Sequence, residues 1–593
     1  MVREQDYRFE VSDIKSGRVY EKIVFTVFNE DARNRVFRLF YGPDTRIRNN
    51  SVNLYDKFGN FIRSSSRKDV EDYPAVSGGT LYQDDRFERI ELTYPEYPYS
   101  LEIEYEKDIS GIEYAVYPDW RILPDFKTSV EKASFTVVTN QPLHFRAHNI
   151  DLEPVVSKES EGNVYTWQVE NMPTLSRQSY APPAFQQIPM ILCSPGTFEI
   201  DGYTGSLESW QEYGKFMYQL IQGRDVLTPS VAQDVDKIIA DAATTRDAIE
   251  QLYQYMQAEV RYVSVQLGIG GWQPFSAEYV IENKYGDCKA LSNYMMALLK
   301  QAGIESYPTL IQRGTSDYQI EDDFANPRFN HMVLYVPGED MWLECTSTSY
   351  PAGYLGSDNE DRRVLLVTPD GGRVTRTPAY THETNRENIE AEVKLRPDGS
   401  ARIEYQQSLQ GEPHEFFRYV HQNWSNKEVR DYWSERSSIP GFILDEFQVT
   451  PSQTEPSANL LYSGNTDRYA AAAGKRLFVP LNLVSVYGNV PGEEESRTDS
   501  IYFDKAISEE LNVRVRIPEG FQVEGLPEGV TFESTIGRYH LEIQKDKNYI
   551  VYKRSLTMKE TVLPPEEYPA FREFFLELSR HENAKMVLVE KKT

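Results

Sequence analysis

Three cysteines, Cys193, Cys288 and Cys345, offer the strongest nucleophiles in this chain. Cys288 follows Tyr285-Gly286-Asp287 and precedes an apolar run of helical spacing, so Asp287 is predicted to cap a helix that begins at Cys288. Unpaired N–H groups at a helix N-terminus favour a thiolate and lower a cysteine pKa. The carboxylate of Asp287 opposes that effect, so a cationic partner is needed. Cys288 is the candidate nucleophile.

A β-hairpin is predicted further along the chain. Two apolar runs, Met332–Val336 and Met341–Leu343, flank Pro337-Gly338-Glu339-Asp340, a connection rich in turn formers. If those four residues form the loop, Val336 faces Met341 and each facing pair follows in register.

That register places a histidine and an acid on one surface. Val333 lies opposite Glu344, and His331 shares a face with Val333 because side chains in a strand repeat with period two. The imidazole and the carboxylate are therefore predicted to be diagonal neighbours within hydrogen-bonding reach. In a triad with Cys288, His331 takes the thiol proton and Glu344 orients and stabilises the imidazolium.

The oxyanion of an acyl-transfer reaction also needs donors. The N–H of Cys288 is one candidate, and the loop from Gly270 to Pro274 offers the side chains of Trp272 and Gln273. The alternative for this loop is a tight turn with Trp272 in the core. Cys345 points away from Glu344 by alternation, and we expect Cys345 and Cys193 to be inert packing residues.

The elements that must position these residues change in type along the chain. Residues 1–195 alternate with period two between Gly, Asn, Asp and Pro turns, which predicts an N-terminal β-sandwich. Residues 205–365 hold two amphipathic helices and the hairpin, which predicts an α+β core. A turn-rich stretch at 368–388 is predicted to be a linker. Residues 389–593 return to alternation, with a helical insertion at 414–436, and predict a mostly β domain.

Composition limits the function classes. A chain of 593 residues with 40% hydrophobic and 26% charged residues is a multidomain globular protein. The net charge of −28 makes nucleic acid a poor partner. No apolar stretch is long enough to predict a membrane span, and the start lacks the apolar segment of a signal peptide.

Cofactor and metal sites are not predicted. His414-Glu415 and His581-Glu582 lack the second histidine of a zinc-protease helix, and the sequence has neither a CxxC pair nor a phosphate-binding loop. Acidic clusters such as Glu321-Asp322-Asp323 lack EF-hand spacing and are predicted to be solvated loops.

Taken together, these residues resemble the core motifs of the transglutaminase-like superfamily. The matching segments are RYVSVQLGIGGWQP (261–274), KYGDCKALSN (284–293), Phe329-Asn330-His331 and WLECTS (342–347). The resemblance is strongest over about 205–365, and the flanking β-regions are similar to uncharacterised domains found around this core in multidomain proteins of Gram-negative bacteria.

The resemblance implies a papain-like core with Cys288 as nucleophile, His331 as base and Glu344 in the acid position. It implies an oxyanion contact from Gln273, with Trp272 beside it. The family usually has Asp followed by Pro where this chain has Glu344-Cys345. Similar proteins are peptidases or amide-processing enzymes, and export to the periplasm or cell surface is implied.

Two functions follow as hypotheses. The first is a thiol hydrolase or acyltransferase that attacks a peptide or glutamine amide through a Cys288 thioester, with a peptide or protein as substrate. The second is a catalytically inactive binding or scaffolding protein that retains the transglutaminase-like core for its shape. An open groove beside the thiol favours the first hypothesis, and a closed one favours the second.

Overall fold

The computed structural model describes residues 1–30, 36–75, 80–83, 85–111, 115–160, 162–314, 318–484, 487–494 and 496–591. Cα packing divides the chain into two compact units. The first unit comprises Met1–Arg177, Pro183–Thr348 and Asp361–Thr377, and the second comprises Gln178–Pro182, Ser349–Glu360 and Pro378–Thr593. No helix among the described residues is both long and apolar enough to cross a bilayer.

The N-terminal part of the first unit is built from β-sheets. Alternating side chains of the strand Tyr99–Ser110 point into the core. Leu101, Ile103 and Tyr105 are buried, while the intervening Glu102 and Glu104 remain partly exposed. The main sheet has the order Val155–Glu159, Gly162–Met172, Val130–Thr139, Val2–Val11, Ser16–Val27, Tyr99–Ser110, Thr45–Tyr55, Phe61–Ser64. Smaller sheets join Trp120–Arg121, Met190–Pro195 and Leu143–His148; Phe37–Tyr41, Arg86–Ile90 and Val70–Pro74; and Thr197–Ile200 with Tyr203–Ser206.

The central part of the same unit is α+β. Its helices are Trp210–Ile221, Pro229–Asp241, Thr245–Glu259, Ala277–Asn283 and Cys288–Gln301. Its main sheet has the order Met341–Leu343, His331–Val336, Tyr307–Ile311, Arg363–Thr368, Gly371–Arg376. Short pairs join Arg261–Tyr262 to Tyr285–Gly286 and Ser264–Gln266 to Thr80–Gln83.

The second unit is mostly β. Its main sheet has the order Ile443–Pro451, Ser457–Thr466, Ala401–Gln410, Arg386–Leu395, Ile507–Arg516, Tyr549–Met558, Gly537–Asp546, Val530–Ser534. Smaller sheets join Ala471–Ala473, Arg476–Pro480, Lys585–Glu590 and Phe521–Gly525, and Ile501–Phe503 with Thr561–Leu563. The described helices of this unit are Glu412–Asn423, Asn426–Arg436 and Tyr568–Glu582.

The predicted fold class is confirmed, with a central α+β core between N-terminal and C-terminal β regions. The helical insertion predicted at 414–436 is present as two helices. The linker predicted at 368–388 is wrong over its first half. Gly371–Arg376 pairs with Arg363–Thr368 as a hairpin, because Gly371 takes a φ of 116° and turns the chain back on itself. The three-domain boundaries stay a prediction.

Candidate active site

Cys288 is the first residue of the helix Cys288–Gln301, called here the cysteine helix. Asp287 caps it as predicted, since its carboxylate accepts the N–H of Ala290 at 2.9 Å. Gly286 lets the backbone before the helix pass close to its first turn, because a Cβ at this position would lie 2.9 Å from the Ala290 methyl group. The thiol therefore lies at the positive end of the helix dipole, where a thiolate is favoured.

His331 is the first residue of the strand His331–Val336, called here the histidine strand. This strand pairs with Met341–Leu343 in the predicted register, with Val336 opposite Met341 and Leu334 opposite Leu343. The Ser292 hydroxyl of the cysteine helix donates to the Met332 carbonyl at 3.3 Å, which ties the helix to the strand.

The predicted contact between His331 and Glu344 is present. Imidazole Nε2 lies 2.9 Å from Glu344 Oε2, and both side chains are buried. The other carboxylate oxygen accepts the Thr346 N–H at 3.0 Å and the Thr346 hydroxyl at 2.5 Å. The Tyr253 hydroxyl donates to the backbone carbonyl of Glu344 at 2.6 Å. These contacts fix the carboxylate, which in turn fixes the orientation of the imidazole.

The Cys288 thiol lies beside the same imidazole. His331 and Cys288 line the same cavity, and each side chain shifts the pKa of the other, while Nε2 is directed at Glu344. The structure thus brings the three predicted triad residues together, with Cys288 beside His331 and His331 hydrogen-bonded to Glu344.

Charges within the series shift each pKa. Burial lowers the pKa of His331, but the Glu344 carboxylate and the contact with Cys288 outweigh it and raise that pKa to about 9. Burial raises the pKa of Glu344, yet the His331 imidazolium and the charge of Arg313 bring it down to about 2. An imidazolium and a carboxylate are thus the favoured forms at neutral pH.

The pKa of Cys288 is lowered in spite of its burial. Burial raises it and so does Asp287, whereas the Lys289 ammonium and the His331 imidazole lower it by more. A lowered thiol pKa beside a raised imidazole pKa favours a thiolate–imidazolium pair, the reactive form of a cysteine nucleophile.

Lys289 is the functional candidate that the sequence analysis missed. Its side chain is only 7% exposed, and its Nζ lies 2.5 Å from Asp287 Oδ2. This ion pair supplies the cation that the thiol needs next to Asp287. The sequence carries a signal for it, because the thiol beside Asp287 needs a cationic partner and Lys289 follows Cys288 directly. A lysine in the first turn of a helix is nevertheless usually solvated, so its burial was not foreseen.

A cavity of about 380 Å³ opens beside the thiol. Cys288 is itself only 6% exposed, and it forms part of the cavity wall. Its polar lining includes Lys289, Arg328 and His331. Apolar and aromatic side chains form the rest of the wall, among them Val116, Tyr213, Met217, Trp272, Leu310, Phe329 and Met332.

Trp272 and Gln273, the two residues predicted to contact the oxyanion, lie in different surroundings. Trp272 lines the cavity, with its ring against Phe198, Tyr213 and Phe216. The Gln273 amide instead donates to the Tyr203 hydroxyl at 3.4 Å, and its side chain is not part of the cavity wall. The Cys288 N–H belongs to the first helical turn and has no partner within the helix. The oxyanion role of Trp272 and Gln273 stays a prediction.

The two other cysteines are buried and lie away from the cavity wall. Burial raises the pKa of Cys193, and Asp119 adds to the effect. Burial likewise raises the pKa of Cys345, helped by the charge of Glu344. Neither thiol is activated. Within the described part of the chain, no group of three or more His, Cys, Asp or Glu side chains is placed to hold a metal ion.

The role of the Glu344 charge gives a testable prediction. Glu344→Gln removes the charge that raises the His331 pKa, so the alkaline limb of kcat/KM should move from about pH 9 to lower pH. We expect turnover at the optimum to fall by roughly 10²-fold or more. Glu339→Gln, in the turn of the same hairpin, is the matched control. An alkaline limb that stays in place would contradict the assigned role of Glu344.

Three family models match the chain. The transglutaminase-like superfamily model covers residues 232–322, and two domains of unknown function flank it, DUF3857 at 14–176 and DUF3858 at 475–588. No curated protein matches the chain.

Solved structures give a match over the whole chain. A candidate protease from Parabacteroides distasonis aligns with a TM-score of 0.63 and 13% identity, covering 99% of both chains, which shows a shared fold. A candidate cysteine protease from Cytophaga hutchinsonii gives a TM-score of 0.17 at 11% identity, covering 57% of this chain and 78% of that one. The periplasmic domain of TgpA from Pseudomonas aeruginosa gives 0.14 at 12% identity, covering 45% and 76%. The last two TM-scores are too low to support an argument.

Proposed function

We propose that this chain, whose central segment is a transglutaminase-like domain, is a cysteine peptidase or amide hydrolase that works through a Cys288 thioester. The observation that carries the proposal is the buried series from Cys288 through His331 to Glu344, which ends at the cavity. Export to the periplasm or cell surface is part of the proposal, and fractionation of cells that produce the protein tests it.

The reaction needs two steps at one sulfur. The Cys288 thiolate attacks the carbonyl carbon of an amide, and the oxyanion is stabilised by N–H donors at the helix start. The C–N bond breaks as the imidazolium of His331 gives its proton to the leaving amine. Water then loses a proton to His331 and attacks the thioester, which releases the acid and restores the thiolate. Glu344 keeps the ring oriented in both steps.

Hydrolysis and amine transfer share the thioester and differ in what attacks it. A peptide library incubated with and without a fluorescent primary amine separates them. We expect shorter peptides with new carboxyl termini, no incorporated amine, and loss of turnover in Cys288→Ala. Cys193→Ala, which removes a thiol outside the cavity wall, is the matched control.

The scaffold hypothesis makes the opposite prediction. Equal peptide patterns with wild type and Cys288→Ala, together with no thioester trapped by mass spectrometry, would contradict the enzyme proposal. Incorporated amine in place of new carboxyl termini would identify an acyltransferase at the same site. The cavity beside the thiol supports catalysis over a closed scaffold.

A further inference from the structure

The second unit contains a cavity of about 600 Å³ that the proposed peptidase chemistry does not use. Its volume lies within the range of small-ligand sites. One wall is the face of the main sheet, formed by the strands Arg386–Leu395, Ala401–Gln410 and Ser457–Thr466, and the helix Asn426–Arg436 contributes to another. We call it the C-terminal cavity.

Stacked aromatic rings form part of the wall. Tyr405 and Tyr462 face each other across adjacent strands, with ring centroids 4.2 Å apart and an interplanar angle of 17°. Trp433, from the helix, stacks on Tyr462 at 4.7 Å and 23°. Because Tyr405 and Trp433 cover the two faces of Tyr462, the stack gives the cavity an aromatic wall against which an alkyl chain can pack.

The floor carries an excess of negative charge. Glu387 lies directly beside Glu509 in the register of two parallel strands, and like charges in that position repel. The Glu509 carboxylate is occupied, because it accepts the Arg554 guanidinium at 2.5 Å and the Tyr487 hydroxyl at 2.6 Å. The same guanidinium also engages Glu582 at 2.6 Å. Arg554 therefore pairs with the carboxylates of Glu509 and Glu582 and forms no hydrogen bond with Glu387.

The partner of Glu387 is neutral. Its carboxylate accepts a hydrogen bond from the Gln407 amide. Burial and the neighbouring Glu509 raise the pKa of Glu387 to about 7, although Gln407, Arg554 and Lys505 act to lower it. Burial raises the pKa of the Tyr462 phenol, and the charge of Glu387 adds to that effect. The charged residues Arg436, Asp504 and Lys505 also line the cavity, but they are exposed.

We propose that the C-terminal cavity binds an alkylammonium or alkylguanidinium group. The cation pairs with Glu387, which no cationic side chain hydrogen-bonds among the described residues, and its alkyl chain packs against Tyr405, Tyr462 and Trp433. A free diamine and the side chain of a lysine or arginine in a peptide present this same chemistry. The site lies in a different unit from Cys288, so it stands independently of the proposed peptidase activity.

Calorimetric titration of the full chain tests the proposal. The probes are cadaverine, agmatine and the blocked peptide acetyl-Gly-Lys-Gly-amide, with N,N′-diacetylcadaverine as the neutral analogue. We expect the cations to bind at least about 10-fold more tightly than the neutral analogue. Because the ionised fraction of a group with a pKa of about 7 rises about 10-fold between pH 6 and pH 8, affinity should rise by the same factor. Tighter binding of the peptide would identify the natural ligand as the side chain of a lysine or arginine. Tighter binding of cadaverine or agmatine would identify it as a free amine.

Two variants and a control sharpen the test. Glu387→Gln should weaken cation binding by about 10-fold or more and abolish the rise with pH, without loss of thermal stability, since the repulsion with Glu509 is relieved. Trp433→Leu removes aromatic packing surface, so it should weaken binding several-fold and keep the rise with pH. Glu390→Gln, exposed on the other face of the same strand, should change neither. No cation binding, equal binding of the neutral analogue, or wild-type affinity in Glu387→Gln would overturn the proposal.

Discussion

His331→Ala is expected to lower kcat/KM for peptide hydrolysis by roughly 10²–10⁴-fold, the usual range for loss of a general base. The imidazole hydrogen-bonds Glu344 and lies beside the thiol, so its removal takes away the proton acceptor and one of the two cations that lower the Cys288 pKa. At neutral pH less of the sulfur should be ionised, and the leaving amine should lack its proton donor. The measurement is steady-state turnover of a cleaved library peptide.

The variant leaves the Glu344 carboxylate buried without its cation, which destabilises the fold. His331→Gln retains an amide donor for Glu344 without a base, so its loss of turnover separates chemistry from folding. His540→Ala, an exposed histidine of the second unit, is the control. If either His331 variant keeps more than a tenth of wild-type turnover, His331 is not the base.

Lys289→Met is expected to raise the Cys288 pKa and to lower the free energy of unfolding by about 3–5 kcal/mol, the usual cost of breaking a buried ion pair. Lys289 is buried, and it holds the Asp287 carboxylate at 2.5 Å. Without the ammonium, burial and Asp287 both raise the thiol pKa, so alkylation should begin at higher pH. Urea unfolding measures the first effect and alkylation rate against pH measures the second.

Two further variants isolate the charge. Asp287→Asn with Lys289→Met keeps a capping side chain and removes both charges, so much of the lost stability should return. Lys300→Met, on the same helix, loses an exposed ion pair with Asp225 and should change stability by less than about 1 kcal/mol. If the pH dependence of alkylation is unchanged in Lys289→Met, Lys289 does not lower the pKa of Cys288.

The parts of the site that depend on short-range pattern were predictable from the sequence. The hairpin register followed from the turn formers at 337–340 and the alternation on either side, and it placed His331 beside Glu344. The cap at Asp287 followed from its position before an apolar helical run. These inferences use neighbours within about fifteen residues, where chain geometry limits the possibilities.

The parts that depend on distant packing were not predictable. Lys289 is buried because of what surrounds it, and the direction of Gln273 is set by Tyr203, some seventy residues away. The hairpin strand at Gly371–Arg376 looked like linker because it is short and polar, and its pairing with Arg363–Thr368 gives it a strand conformation. The C-terminal cavity joins Glu387, Trp433 and Tyr462 from separate elements, and no local pattern marks it.

Selective alkylation tests the central claim, that Cys288 is an activated thiolate in contact with His331. The folded protein is treated with limiting iodoacetamide at pH 6.5, and peptide mass spectrometry maps the adducts on the three cysteines. We predict that Cys288 is labelled well ahead of Cys193 and Cys345, whose pKa values are raised by burial. Labelling of Cys288 that only equals or falls below that of the other two would contradict the claim.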